Sequence, residues 1–122
     1  MNRFTKNERL RSRKQIEHLL SQGISSFVYP FKVTSEERQA TGDAREVAIT
    51  QLLIIVPKRR IKKAVARNLI KRRTREAWRL HKSAISPQHN IILQYVADEP
   101  LSYAVIVEAV KIVCYSGIYA NN

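Results

Sequence analysis

Between Lys58 and Lys82 twelve side chains are basic and one, Glu76, is acidic. Eleven net positive charges on twenty-five consecutive residues repel one another unless a counter-charge binds, so this segment must fold with its cations at the surface, facing a polyanion. An α-helix meets that demand. At about 100° per residue Lys63, Arg67, Lys71 and Arg75 fall in one row, flanked by Asn68, Arg72, Arg79 and Lys82. Val65, Ala66, Leu69, Ile70, Ala77 and Leu80 take the opposite side, which predicts a helix over 62–81 with one cationic and one core face. Arg73 falls among the apolar positions, where a long stem can snorkel to an edge. Trp78 falls near the cations, and both packing and stacking on a base are open to it. Arginine dominates the face, and its planar fork matches phosphate oxygens in a way a lysine point charge cannot.

The rest of the chain is a nearly neutral body. The net charge is +12, and the first fourteen residues hold six basic side chains and one acid, so outside this arm and the basic segment the balance is −4. With 122 residues, 44% of them hydrophobic, the chain can bury one modest core, which predicts a single domain over 1–122 with a basic arm at 1–14. No run of eighteen apolar residues exists, and Met1-Asn2-Arg3-Phe4-Thr5-Lys6 lacks the apolar stretch of a secretory signal. The expected compartment is the cytoplasm, without membrane attachment. Cys114, the single cysteine, cannot form an internal disulfide or a Cys-rich zinc site and reads as a small buried side chain.

Local patterns place the remaining elements. Ser12 and Gln15 have the spacing of a capping box, Ile16, Leu19 and Leu20 follow at helical spacing, and Gly23 is a natural stop. Phe27, Tyr29, Phe31 and Val33 alternate with Val28, Pro30, Lys32 and Thr34, the period of one strand with an aromatic face, in which Pro30 predicts an edge or a bulge. Ser35 to Glu46 reads as a polar connection. Val47 to Val56 is almost continuously apolar, as a central strand buried on both faces would be, and Pro57 ends it. Asn90 to Val96 is the next strand, and Asp98-Glu99-Pro100 leads into a last element. For Tyr103 to Tyr115 the β-branched content favours a strand, whereas Ile106, Ala109, Val110 and Val113 fit a helix; periodicity leaves both open.

The segment from Ala64 to Trp78 resembles the signature helix of the bacterial ribonuclease P protein component, whose Arg-Asn-x-x-Lys-Arg-x-x-Arg pattern is met at Arg67, Asn68, Lys71, Arg72 and Arg75. Arg9-Leu10 with Ile16, Leu20 and Gly23, then Val56-Pro57-Lys58-Arg59, then Asn90 to Ala97 extend the likeness over most of 9–97; the last twenty residues match poorly. Two departures stand out. Leu69 occupies a usually basic position, and Ile16 and Leu20 replace aromatics common in the first helix. The resemblance implies an α+β fold, a two-layer α/β sandwich in the order α-β-β-β-α-β-α with a left-handed β-α-β crossover around the basic helix. It also implies two surfaces. Lys63, Arg67, Asn68, Lys71, Arg72 and Arg75 would grip ribonuclease P RNA, while Ile16, Leu20, Phe27, Tyr29, Phe31, Lys58 and Arg59 would receive the 5′ leader of precursor tRNA.

No nuclease site of the chain's own can be assembled from these residues. Metal-dependent phosphodiester cleavage wants clustered carboxylates, whereas the ten acids are scattered, with only Glu36-Glu37 and Asp98-Glu99 adjacent. His18, His81 and His89 lack metal-ligand spacing, and no Gly-rich phosphate loop occurs. The resemblance accordingly implies an accessory subunit of an endoribonuclease, with Mg2+ held at the active site of the catalytic RNA, no metal on the protein and no further protein partner. Two other classes share part of these features. A general basic RNA-binding module, such as a small ribosomal protein, has the charge without dependence on a catalytic RNA, and an independent nuclease would need the missing carboxylates.

Overall fold

In the computed structural model, residues 8–37, 50–85 and 89–117 are described. Helix α1 spans Arg13–Gln22. Its start is the expected cap, the Ser12 hydroxyl accepting the Gln15 amide N–H at 3.3 Å. Its end at Gly23 is set by space: a Cβ there would lie 2.5 Å from the Leu19 carbonyl oxygen and 2.9 Å from Thr34 Cγ2. Only glycine lets α1 lie so close to the sheet.

The aromatic stretch departs from expectation. Instead of one strand it forms a hairpin, β1 (Ile24–Val28) and β2 (Phe31–Glu37), turning at Tyr29-Pro30, whose peptide bond is cis. Proline lacks an amide donor and sits where none is needed. The turn also reverses the face on which the later side chains fall, because Val28 pairs with Phe31 and Phe27 with Lys32. Residues directly opposite each other share a face, so Phe27 and Phe31 point to opposite sides of the sheet.

The strand expected at the centre lies at the edge. Sheet order is β1-β2-β4-β3, with β3 at Gln51–Ile55 and β4 at His89–Tyr95, parallel to each other and antiparallel to β2; residues 47–49 of the expected strand, and most of the Ser35–Glu46 connection, lie outside the described residues. The continuous apolar run has another cause. Leu52 and Ile54 face one core cluster while Leu53 and Ile55 face the other, and Arg9 bridges Leu52 along the outer edge of β3, with the Leu10 amide donating to the Leu52 carbonyl at 2.9 Å. β2 and β4 are the interior strands, and β4 is buried along nearly its whole length.

Helix α2 (Ala64–His81) crosses from β3 to β4, and α3 (Tyr103–Ser116) follows. These elements give the expected order α-β-β-β-α-β-α. The open question at the C-terminus is answered as helix: Ile106, Ala109, Val110, Val113 and Cys114 are buried at helical spacing, the Ser102 hydroxyl accepts the Val105 amide, and Gly117 adopts φ 73° at the end. Periodic burial outweighs the β-branched composition. One face of the sheet, with Phe31, Leu93 and Tyr95, packs on Ile70, Ala77 and Trp78 of α2 and on α3. The other carries α1 and the arm, through Leu10, Leu19 and Ile92.

Candidate nucleic-acid interface

Helix α2 is turned relative to its expected core face. The buried side is Ile70, Thr74, Ala77 and Trp78, with Ala66 half-buried, whereas Val65 is 82% exposed and Leu80 is also exposed. Trp78 therefore packs in the core and is not available to stack on a base. It is the largest of the fully buried side chains, and its burial decides how the helix sits. Arg73 reaches the edge as expected, Nη1 donating to the Leu101 carbonyl.

This orientation leaves two cationic strips. Asn68 and Arg72 are exposed, and Arg67, Lys71 and Arg75 form a half-buried flank. Lys63 caps the helix from outside, with no side-chain hydrogen bond to its end. Other bases on the segment are paired: Arg79 with Glu76 at 2.6 Å, Arg60 with Asp98 at 2.9 Å and Lys82 with Glu8 at 2.7 Å. Among the described residues Lys63, Lys71, Arg72 and Arg75 have no carboxylate within ion-pair distance. The arm joins this surface. The Glu8–Lys82 pair ties it to the end of α2, and partial burial, with Arg9 and Arg72 nearby, holds the Arg75 guanidinium below its ordinary range. Crowded like charges of this kind are relieved by an anion.

A second surface lies across the sheet, beside α1. The register aligns Phe27, Lys32, Gln94 and Ile55 in a row across all four strands. Phe27 is 61% exposed and Lys32 is exposed; Gln94 and Ile55 are half-buried. Tyr29 stands at the hairpin turn, exposed, its ring centroid 6.4 Å from that of Phe27. Helix α1 walls the other end of this face, held by Leu19 in the core and by His18 Nδ1 bonded to Glu36 Oε1 at 2.9 Å. Leu20 is exposed and Ile16 half-buried on that wall. Lys58 and Arg59 are exposed in the loop that leaves β3 just past Ile55.

Phe31 does not belong to this groove. It is fully buried on the opposite face, edge-on to Tyr95 at 5.8 Å, because the hairpin turn changes the alternation. Lys32 and Gln94 take places that reasoning from the chain alone missed. Only the strand register brings them beside Phe27.

The acids are dispersed among bases. Glu8, Glu36, Glu76, Asp98 and Glu108 each pair with a basic side chain, and no group of three His, Cys, Asp or Glu among the described residues could hold a metal ion. This donor set does not fit Mg2+. No helix among the described residues is long and apolar enough to cross a membrane.

Fold and site together define a class: an α+β domain whose crossover helix carries arginine and lysine without carboxylate partners among the described residues, with an aromatic and basic surface on the far side of its sheet. The chain belongs to the Ribonuclease P family, whose model matches residues 4–114. It is similar to the Ribonuclease P protein component of Porphyromonas gingivalis strain W83, 37% identical over 83 residues, and to that of strain ATCC 33277, 35% identical over the same length. Each match covers 68% of this chain and 58% of the relative, so the chain spans little more than half of their length. Among solved structures it is similar to the Staphylococcus aureus RNase P protein, with a TM-score of 0.72, 25% identity and coverage of 87% of this chain and 91% of that one. The Thermotoga maritima RNase P protein shares the fold, with a TM-score of 0.73, 23% identity and coverage of 89% and 96%.

Proposed function

We propose that this chain is the RNA-binding protein subunit of ribonuclease P, assisting a catalytic RNA in the endonucleolytic removal of the 5′ leader from precursor tRNA in the cytoplasm. The observation that carries the reading is the unpaired set Lys63, Lys71, Arg72 and Arg75 on a helix of the family's pattern. Those cations, with Asn68 and Arg67, bind the phosphates of the ribonuclease P RNA; counter-ion release supplies affinity. The groove receives the single-stranded leader. Phe27 and Tyr29 stack on bases without reading sequence, Lys32, Lys58 and Arg59 attract the backbone, and Ile16 and Leu20 form an apolar wall in place of aromatics.

The protein's contribution to the reaction is positional. By neutralising phosphates of both RNAs it lowers the repulsion between them and favours Mg2+ binding by the RNA, which supplies the activated water. Glu8, Glu36 and Asp98, engaged in ion pairs, take no part in that step.

Reconstitution tests the proposal. Mixed with bacterial ribonuclease P RNA and precursor tRNA at low Mg2+, the protein is expected to stimulate release of the 5′ leader and to bind precursor more tightly than mature tRNA. RNA binding without stimulation would instead identify a general basic RNA-binding module, and cleavage by the protein alone would identify a nuclease.

A further inference from the structure

The loop between β3 and α2 touches both surfaces. It leaves the sheet beside the groove with Lys58 and Arg59 exposed and reaches the helix with Lys62 and Lys63 exposed. Its backbone is pinned at several points. The amides of Arg60 and Ile61 both donate to the Pro57 carbonyl at 3.1 Å, the Ile61 side chain is buried, and the Arg60 guanidinium meets Asp98. The final tie comes from the cationic row itself: Arg67 Nη1 donates to the carbonyl of Ile61 at 2.9 Å and to that of Lys62 at 2.7 Å.

That geometry separates Arg67 from its neighbours in the row. Nη1 carries two hydrogens, and both have protein acceptors, so the fork that would take two phosphate oxygens is partly committed. The two carbonyls precede α2 and lie outside its hydrogen-bond ladder, so without Arg67 they lose their side-chain donor. Lys71, Arg72 and Arg75 follow on the same helix as exposed or half-buried cations of the RNA-facing flank. Arg67 alone in that row spans helix and loop.

We infer that Arg67 is a positioning residue: by clasping the Ile61 and Lys62 carbonyls it sets where Lys58 and Arg59 stand relative to the helix, and so couples leader recognition to the grip on the RNA subunit. This rests on the function proposed above. The coupling has a direction. Arg67 lies on the helix side, yet its loss is felt in the groove, through the loop.

The experiment compares R67Q, R67K, K58A/R59A and the R67Q/K58A/R59A triple variant in holoenzyme reconstituted with ribonuclease P RNA. Affinity is measured for a precursor tRNA and for the same tRNA lacking its leader; the ratio reports leader recognition. R67Q is expected to reduce that ratio by about fivefold, within the range of coupled neighbours, and to add no further loss in the K58A/R59A background. R67K keeps the charge on a differently shaped donor and is expected to restore affinity for the RNA subunit but not the leader ratio. In the free protein, amide hydrogen exchange at Arg60 and Ile61 is expected to quicken in both Arg67 variants. Independent, multiplying losses in the triple variant, full rescue by R67K, or unchanged exchange would each overturn the inference. If R67Q does not fold, R67K and the exchange measurement still decide it. A wild-type holoenzyme with no leader preference would overturn the functional reading, whereas the exchange result tests the loop contact by itself.

Discussion

On the α2 flank Lys63, Lys71, Arg72 and Arg75 stand without a carboxylate partner among the described residues. Across the sheet the groove offers an exposed lysine, Lys32, set between an exposed aromatic ring and a half-buried amide. The first arrangement can bind a polyanion through charge alone; the second sets Lys32, with Lys58 and Arg59 at its edge, beside rings that can stack. The physics differs accordingly. Phosphate contacts release counter-ions and weaken steeply with salt, while a base stacked on a ring such as Phe27 or Tyr29 would neutralise no phosphate. On the function proposed above, a structured RNA and a single strand would be held by two modes on separate faces, joined by a loop.

The largest effect is expected where the two faces share a core. Trp78 of α2 is buried against the sheet that carries the groove, so Trp78→Ala should lower stability by about 3–5 kcal/mol, read as a drop in the denaturation midpoint. Both binding activities should fall together. A variant that lost helix-side binding alone would break the picture of one shared support.

Smaller, and confined to one side, is the effect of Lys71→Ala combined with Arg72→Ala. Neither residue is among the buried side chains of α2, so the melting curve should move little. The salt slope of binding to the RNA subunit should flatten by about 0.7–0.9 for each phosphate that is no longer neutralised. An unchanged slope would remove these residues from the interface.

The two phenylalanines sharpen the contrast from the groove side. Phe27→Ala should weaken binding of the precursor by about 1–3 kcal/mol, with the salt slope intact, because stacking is removed and charge is not. Phe31→Leu, which keeps an apolar side chain on the buried face but loses the ring contact with Tyr95, should cost about 1–3 kcal/mol of stability and leave leader preference unchanged. Equal effects on leader binding would contradict the register that sends these rings to opposite sides.

That pair also marks the limit of what the chain alone revealed. The cationic helix was legible because charge and helical period are local properties, and Arg67, Asn68, Lys71, Arg72 and Arg75 follow one another along a single element. The element order came with the resemblance, while alternation by itself found one strand where there are two. A turn at Tyr29-Pro30 preserves the period of two yet moves Phe31 to the other face. Likewise β3 reads as central because both its faces are covered, although the second covering, from Leu10 and α1, comes from residues about forty positions earlier. Lys32 joins the groove through the hairpin register with Phe27, and Gln94 only through pairing with the distant β2. Trp78 takes the packing role open to it, and the core face moves for a related reason: a large apolar ring near the edge of a helical stripe redefines where the stripe lies once it is buried, leaving Val65 and Leu80 outside.

The smallest effect at neutral pH concerns α3, away from both surfaces. Burial pushes the Cys114 thiol from an ordinary 9.0 up to about 12, so the folded protein keeps its proton where the unfolded chain has released it. The stability this represents is fully present below about pH 9, and it is lost as pH rises toward 12. Tyr95 adds in the same sense, its hydroxyl raised chiefly by burial while it donates to the Glu99 carbonyl. Between pH 6 and 8, then, neither group should move the denaturation midpoint, as a flat profile there would record. Above pH 9 the midpoint should fall, and Cys114→Ala should fall less steeply from its own lower start, because the alanine variant has no thiol for the unfolded state to ionise. RNA binding at neutral pH should be the same in both proteins, since Cys114 touches the core beneath α3 and not either cationic surface. A parallel decline of the two midpoints would show that the buried thiol does not contribute to the alkaline loss.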